Sequence, residues 1–335
     1  MTADDPTLAP LRDLIAPTLG AATARRMLAL LAIDPSVVAS GARASRAEVA
    51  MALNVALFAD LIDRVPTAAA YVREVEAAGE RVAFDHGALR TVDRATGALP
   101  RGTAAFTRIL GPLGYTRAGV YPLDRLRMTG EAWVHQDFPE MIPQFFVSAL
   151  HVDRLHDAAQ QAAARVFGTS CDPLREAEQA LLAELAATGA VPRFQAAMTL
   201  PGLVAAFGRQ HEPPALTDYE ALLTDSKEAA WIATEGNAFN HATTRVSDVA
   251  ALAERLRAAG KPLKAAVEIS ANGRVRQTAF LADPVARTFR DGETRAVPGS
   301  FYEFISRDVD PTTGRLDLTF DSGNATGIFA VTRAA

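Results

Sequence analysis

The sequence predicts an α+β protein whose core is a β-sheet built from two βαβββ units. Two stretches each show one strand and one helix followed by at least three further strands, and the first strand of each carries a histidine. A helical lead-in precedes the first unit and a helical insert separates the two. We expect one compact catalytic domain in four parts: scaffold (1–79), first unit (80–151), insert (152–235), and second unit with tail (236–335).

Composition excludes several classes of protein. The chain has 335 residues, 49% of them hydrophobic, which is enough for a large core. A net charge of -5 without a basic cluster argues against nucleic acid as a partner. A single cysteine, Cys171, excludes an intramolecular disulfide. The start of the chain lacks the pattern of a secretory signal, and its apolar runs are too short to cross a bilayer. We therefore expect a cytoplasmic protein with no membrane partner; the sequence leaves the oligomeric state open.

The lead-in is predicted to be helical throughout. Leu8–Ile33 is rich in Ala and Leu, and Ser45–Ala78 carries an apolar residue every three or four positions. Ser45 is placed to cap this second stretch, with Glu48 completing a capping box. Pro66 should divide it into two helices.

The first unit begins with the strand Arg81–Val92. Alternation of side chains in a regular strand assigns one face to Val82, Phe84 and His86, and the other to Ala83, Asp85 and Gly87. Gly87 indicates a bulge or a close approach to the backbone. The unit is then completed by a helix and three strands: Gly102–Leu113, Tyr115–Tyr121, Met128–His135 and Gln144–His151.

The insert and the second unit follow. Four helices are predicted for the insert: Val152–Phe167, Cys171–Thr188, Val191–Gln210 and Leu216–Glu235. In the second unit, Asn237–Val246 is the first strand and Val246–Gly260 is a helix capped by Ser247. The strands Ala265–Ser270, Arg274–Leu281, Val285–Phe289 and Ser300–Ser306 come next, with an Asn-Gly hairpin signal between the first two.

Three side chains from three predicted strands are candidate metal ligands. His86 and His241 occupy equivalent places in the two units, and Glu303 lies among apolar residues, where an unpaired carboxylate is costly. Two imidazoles and one carboxylate form a facial triad, which favours Fe(II) and O₂ chemistry, although Zn, Mn or Ni fits as well. Alternatively, Glu303 forms an ion pair with Arg307, four residues along the strand. His135 is a weaker candidate ligand.

The other three histidines, His151, His156 and His211, are predicted to lie on the surface, and no part of the insert is expected to be catalytic.

Arg90 is the candidate for substrate binding. It shares a strand face with His86 at a Cα distance of roughly 13 Å if the strand is unbroken. That spacing leaves room for a short dicarboxylate between the metal and the guanidinium. The alternative is a surface arginine beside Asp93.

Four short segments resemble the 2-oxoadipate dioxygenase/decarboxylase family, also called D-2-hydroxyglutarate synthase. The family is a divergent relative of the vicinal-oxygen-chelate proteins, which include glyoxalases and extradiol dioxygenases, so the resemblance implies a vicinal-oxygen-chelate-like β-sheet or barrel core. The similarity runs from about Arg81 to Phe329. The segments are Asp85-His86-Gly87-Ala88-Leu89-Arg90, Asn240-His241-Ala242-Thr243-Thr244-Arg245-Val246, Arg276-Gln277-Thr278 and Val297-Pro298-Gly299-Ser300-Phe301-Tyr302-Glu303-Phe304.

The resemblance implies site residues and a reaction. His86, His241 and Glu303 match the family's Fe(II) ligands, the two histidines also border the substrate, and Arg90 matches the arginine that holds the distal carboxylate. The implied substrates are a 2-oxo dicarboxylic acid and O₂. The products are CO₂ and a 2-hydroxy acid shorter by one carbon; 2-oxoadipate would give D-2-hydroxyglutarate, in lysine catabolism.

The tail departs from the family pattern. Better-known bacterial members are longer. Their tail carries a segment similar to Val-Ser-Ala-Ala-Gly-Ile-Phe, where this chain has Gly323-Asn324-Ala325-Thr326-Gly327-Ile328-Phe329. If this segment borders the pocket, Gly323 and Asn324 change which oxo acid fits.

Two other functions remain open on the same fold. One is a glyoxalase-like isomerase or lyase that uses Zn or Ni and consumes no O₂. The other is a protein that binds a small acid without chemistry.

Overall fold

A computed structural model of the chain describes residues 5–320. In its described part, the lead-in contains four α-helices and one short strand: α1 (Ala9–Leu19), α2 (Ala21–Leu30), β1 (Arg43–Ser45), α3 (Arg46–Arg64) and α4 (Pro66–Ala77). Ser45 caps α3 as predicted, accepting a hydrogen bond from the Glu48 backbone N–H. The Glu48 carboxylate does not complete the capping box, because it pairs with Arg193 of the insert. The predicted helical lead-in is therefore confirmed, apart from β1.

The first unit has the predicted order. Its elements are β2 (Ala83–Val92), α5 (Ala104–Leu110), β3 (Tyr115–Leu123), β4 (Met128–His135) and β5 (Gln144–Leu150). The insert follows, with α6 (Asp157–Phe167), α7 (Glu176–Thr188), β6 (Ala190–Pro192), α8 (Arg193–Ala205), α9 (Leu216–Asp225) and α10 (Lys227–Glu235). The short strand β6 was not predicted. It pairs with β1, so the insert is joined to the lead-in by backbone hydrogen bonds.

The second unit repeats the pattern with an extra hairpin. It comprises β7 (Phe239–Arg245), α11 (Val249–Ala258), β8 (Glu268–Ile269), β9 (Val275–Ala279), β10 (Pro284–Thr288), β11 (Thr294–Pro298) and β12 (Phe301–Arg307), followed by a small hairpin of β13 (Val309–Asp310) and β14 (Arg315–Leu316). Two details of the prediction are wrong. The segment Val285–Phe289 is not a strand of the main sheet, since β10 pairs only with β11 among the described strands. The cap of α11 is Asp248 and not Ser247, because the Asp248 carboxylate reaches two backbone N–H groups of the first turn.

Eight strands form one sheet in the order β3-β4-β5-β2-β7-β12-β9-β8. The two halves of the sheet have the same pairing pattern: β2 is parallel to β5, and β7 is parallel to β12. The strands β2 and β7 pair antiparallel at the centre. This arrangement confirms the predicted α+β fold with two βαβββ units. It also places the first strands of the two units side by side.

The lead-in helices cover the outer face of the sheet. Phe58 of α3 packs on Phe84 with ring centroids 5.0 Å apart, and Tyr71 of α4 packs on Phe304 at 4.8 Å. The opposite, inner face carries the polar side chains described below. Within residues 5–320, none of the helices combines the length and apolar content needed to span a membrane.

Candidate metal centre

A bulge precedes each of the two histidines of the central strands. The pairing of β2 with β7 shifts register between Phe84 and His86, and again between Ala88 and Leu89. The first shift leaves Asp85 as the extra residue of β2, and the second leaves Asn240 as the extra residue of β7. Each bulge turns two consecutive side chains toward the inner face, so the first ligand of each unit arrives with a polar neighbour.

The predicted alternation along β2 is therefore wrong at Asp85. Phe84 packs into the outer-face core, whereas Asp85 and His86 both lie on the inner side, where Asp85 Oδ1 is 2.8 Å from His86 Nδ1. Gly87 returns to the outer side, where a Cβ atom would lie 2.1 Å from the Phe239 ring. The glycine is needed for this close approach of an aromatic ring.

The three candidate ligands meet on the inner face. His86, His241 and Glu303 are buried, and one ligand atom from each lies within 4.8 Å of the others. Glu303 Oε2 is 3.5 Å from Nε2 of each histidine. Bonds of about 2.1 Å at right angles would place such atoms about 3 Å apart, so one ion fits with small side-chain movements. The alternative pairing of Glu303 with Arg307 does not occur, because Arg307 binds Asp85.

Glu303 has an unused oxygen at this point. Its Oε2 accepts a hydrogen bond of 2.7 Å from the Thr243 hydroxyl, but its buried Oε1 has no hydrogen-bond partner among residues 5–320. Burial alone would raise the pKa of Glu303, but His241, His86 and Thr243 lower it overall. A buried, ionised carboxylate with a free oxygen beside two imidazoles is the donor set that a divalent metal ion requires.

The partners of the two imidazoles differ. Asp85 accepts from His86 Nδ1 and also from Arg307, whose guanidinium nitrogens lie 2.9–3.1 Å from the Asp85 oxygens. His241 Nδ1 lies 3.1 Å from Oδ1 of Asn240. In both cases an acceptor at Nδ1 directs the lone pair of Nε2 toward Glu303, which is the tautomer that binds a metal.

The electrostatic consequences differ as well. Burial would lower the pKa of His86, but the hydrogen bond with Asp85 and the negative charge of Glu303 raise it overall. Burial lowers the pKa of His241 to about 3. The negative charge of Glu303 opposes this shift, whereas the positive charges of His86 and Arg90 add to it. Burial would raise the pKa of Asp85, but Arg307 and His86 hold it well below its usual range.

Arg90 lies on the same face as His86 but has a partner that the sequence did not indicate. It is buried, and its Nη1 is 2.5 Å from Oε2 of Glu228 in the insert. Its guanidinium lies 5.0 Å from the centre of the Trp231 ring. The alternative of a surface arginine beside Asp93 is wrong, since Asp93 pairs with Arg101 and His151.

Gln144 is another residue that sequence analysis missed. It lies opposite His86 in the β2–β5 pairing and is buried, yet neither its amide oxygen nor its nitrogen has a hydrogen-bond partner among residues 5–320. Such atoms are costly without a ligand or water. Only the pairing of β2 with β5, which is a tertiary feature, could have drawn attention to it.

The other histidines do not converge on the site. His135 is buried, and its Nδ1 accepts from the backbone N–H groups of Asp137 and Phe138. His156 is exposed and pairs with Asp225, and His151 contacts Thr129 and Asp93. The prediction that His211 lies on the surface is wrong.

His211 is buried because its ring packs on Phe167 at 5.2 Å and its Nε2 donates to the Ala233 carbonyl. Gly323 and Asn324 lie outside the described residues. Phe320, the last described residue, packs its ring on His86 at 4.9 Å.

Trp231 also lines a cavity of about 320 Å³ between α9, α10 and the β10–β11 hairpin. None of the three candidate ligands lines this cavity. We therefore treat it as separate from the metal centre.

Comparison with known proteins connects this arrangement to one family. The family model for 2-oxoadipate dioxygenase/decarboxylase matches residues 49–317. A protein of that name from rice is 25% identical over 304 residues, covering 81% of this chain and 75% of the relative. One from Arabidopsis thaliana is 30% identical over 152 residues, covering 39% of this chain and 41% of the relative.

Solved structures agree with the fold. A crystal structure from Ralstonia eutropha JMP134, named for the glyoxalase superfamily, is 52% identical, with a TM-score of 0.89 over 93% of this chain and 98% of that one. The rice hydroxyglutarate synthase in complex with 2-oxoadipate is 21% identical, with a TM-score of 0.67 over 84% of this chain and 90% of that one. The latter likeness concerns the fold alone. The family model spans the whole described sheet, and the chain therefore belongs to the 2-oxoadipate dioxygenase/decarboxylase family.

Proposed function

We propose that this protein is an Fe(II)-dependent dioxygenase that oxidatively decarboxylates and hydroxylates a 2-oxo dicarboxylic acid. The observation that carries the proposal is the buried set of His86, His241 and Glu303 in a member of this family. The substrate we propose is 2-oxoadipate, converted with O₂ to D-2-hydroxyglutarate and CO₂ in lysine catabolism. Both oxygen atoms of O₂ are then accounted for, one in the carboxylate formed from the former keto carbon and one in the new hydroxyl group, while the original C1 carboxylate leaves as CO₂.

The proposed metal would be held by His86, His241 and Glu303. Two neutral nitrogens and one carboxylate leave coordination positions open, which suits Fe(II) oxygenases. Bound Fe(II) would supply the redox chemistry with O₂ that protein side chains lack. Asp85 and Asn240 keep the two imidazoles in the required tautomer, and Thr243 orients the carboxylate.

Other residues of the inner face would bind and enclose the acid. Gln144, with an unused donor and acceptor beside His86, is suited to the polar end of a 2-oxo acid. The rings of Phe146 and Phe320 lie 4.8 Å apart in a tilted arrangement beside His86, where they would exclude water from the bound acid. Arg90 lies farther along β2, where its forked guanidinium can pair with a distal carboxylate. The spacing of His86 and Arg90 along one strand would measure the length of the substrate.

Oxygen uptake tests the reaction. The protein is reconstituted anaerobically with Fe(II) and screened in an oxygen electrode against C4 to C7 2-oxo diacids, with CO₂ and the hydroxy acid measured. We expect equal amounts of O₂ consumed, CO₂ released and hydroxy acid formed, with the largest rate for the C6 acid. Turnover without O₂ uptake would instead indicate a glyoxalase-like reaction, and no turnover of any 2-oxo acid would leave only binding.

Arg90 tests the substrate class. Arg90→Lys keeps the charge but loses the fork, so KM for the diacid should rise and kcat/KM should fall. Arg90→Ala should cost about 2–5 kcal/mol in kcat/KM on the diacid, as for a buried pair that loses one partner. A monocarboxylic 2-oxo acid of equal length should be a poor substrate for wild type and hardly worse for the variant. Equal losses on both acids would mean that Arg90 supports the fold without binding the distal carboxylate.

A further inference from the structure

The ion pair between Arg90 and Glu228 connects the insert to the inner face of the sheet. The two side chains are 2% and 6% exposed, so neither charge is compensated by bulk water. Glu228 stands in the first turn of α10, a helix capped by the Ser226 hydroxyl. The position of its carboxylate is therefore set by a helix and not by a mobile loop.

The arginine proposed to hold the substrate thus already holds a carboxylate. Burial lowers the pKa of Arg90 to about 10, with Glu228 opposing the shift, so the guanidinium remains charged near neutral pH. The charges of Arg90 and Glu228 sum to zero. A distal carboxylate arriving beside this pair would place a second negative charge near that of Glu228, and like charges at such distances repel strongly.

We propose that Glu228 is a specificity-determining residue that competes with the substrate's distal carboxylate for Arg90. This inference rests on the proposed function, because it assumes that Arg90 faces the distal end of the acid. Five N–H donors on two edges allow the guanidinium to contact both carboxylates at once, so binding of the diacid is weakened and not abolished. Glu228 therefore reduces the preference of the site for dicarboxylic over monocarboxylic 2-oxo acids.

A purely structural counter-ion would behave differently. If Glu228 only keeps Arg90 in place, its loss would weaken binding of the diacid. If it competes, its loss would tighten binding of the diacid alone. The two possibilities therefore differ in the sign of one measurement.

Trp231 supplies a binding signal that does not depend on turnover. The chain has two tryptophans, so Trp133→Phe leaves Trp231, which lies against Arg90, as the only indole. In this background the Mn(II)-loaded protein is titrated without oxygen against 2-oxoadipate and 2-oxohexanoate, which has a methyl group in place of the distal carboxylate. We expect Glu228→Gln to lower the Kd of 2-oxoadipate at least tenfold and to change that of 2-oxohexanoate less than twofold. Unchanged or weaker binding of 2-oxoadipate would overturn the inference.

Two further variants allow for loss of the ion pair from the fold. Glu228→Asp keeps the charge but shortens its reach. It should therefore lower the Kd of 2-oxoadipate by a smaller factor than Glu228→Gln does. The double variant Arg90→Gln/Glu228→Gln restores neutrality and should bind the two acids with similar Kd values. A double variant that still prefers 2-oxoadipate would overturn the inference.

Thermal unfolding provides an independent readout. Without ligand, Tm should be lower for Glu228→Gln than for wild type, and 2-oxoadipate should raise it by more than it raises wild-type Tm. An equal rise in both proteins would count against competition. Failure of the proposed function would appear elsewhere, as absence of O₂ uptake by wild type, and it would leave the comparison of Kd values readable.

Discussion

His86 and His241 are the same element of the fold in two different environments. Each lies on the first strand of its unit, each follows a bulged residue, and each has that residue's oxygen at Nδ1. The partner of His86 is an ionised Asp85 locked by Arg307, whereas the partner of His241 is the neutral Asn240, with Phe301 stacked on the ring at 4.7 Å. The duplicated fold therefore supplies the geometry twice, while single residues give the two imidazoles different electrostatics.

The difference has a chemical meaning. A carboxylate at Nδ1 makes the imidazole a stronger donor at Nε2 than an amide does. We expect the His86 side of the centre to bind a metal ion more strongly than the His241 side.

Removing the carboxylate that both histidines face should weaken metal binding on both sides of the centre. Glu303→Gln is nearly isosteric but takes away the one negative ligand that both imidazoles face. We expect Fe(II) affinity to fall by more than about a hundredfold, beyond the range typical of outer-shell partners, with O₂ uptake lost. Titration calorimetry with Mn(II) and an oxygen electrode measure the two effects. Retention of wild-type affinity would show that the metal binds elsewhere.

Making the first side resemble the second tests the role of charge. Asp85→Asn keeps an acceptor for His86 but leaves the Arg307 guanidinium, which is fully buried, without its counter-ion. Breaking such a pair should cost about 3–5 kcal/mol of unfolding free energy, and metal affinity should fall about 10- to 100-fold. Urea unfolding and metal titration measure these changes. Full stability in the variant would contradict the assignment of a buried ion pair.

His211 is a further buried imidazole, and it has neither a carboxylate partner nor a proposed role as a metal ligand. Burial lowers the pKa of His211 to about 4, so the folded state binds this proton less readily than the unfolded chain. Its contribution is fully present above about pH 6.5 and is lost as the pH falls toward 4, by about 3 kcal/mol at most.

The measurement is the pH dependence of unfolding free energy between pH 7 and 4.5. His211→Gln should reduce this dependence relative to wild type. An unchanged slope in His211→Gln would contradict the account.

The smallest effect is expected on the His241 side. Asn240→Ala removes a neutral acceptor and leaves no buried charge behind, so unfolding free energy should fall by only about 1 kcal/mol. Metal affinity should fall by about tenfold, the lower limit for an outer-shell partner. The decisive quantity is the ratio of the Asp85→Asn and Asn240→Ala effects. A larger loss for Asn240→Ala would reverse the proposed asymmetry.

Local sequence pattern was enough to predict the order of the main elements of the two units and the three candidate ligands. The period of two in β2, β7 and β12, the helical spacing of the lead-in and the cap at Ser45 are properties of neighbouring residues. His86 and His241 stand out because each occupies the first strand of its unit, and Glu303 because a charge among apolar residues needs a partner. These patterns can be recognised in the sequence because each depends on only a few consecutive positions.

Tertiary structure alone decided how the site is completed. The bulges at Asp85 and Asn240 depend on the register between β2 and β7, which strand periodicity does not contain. The partners Arg307 for Asp85 and Glu228 for Arg90 come from distant segments, because a buried charge is compensated by whatever side chain the packing brings near. The sequence by itself thus determined which residues carry the candidate chemistry, and the packed sheet and insert decided the charge around each of them.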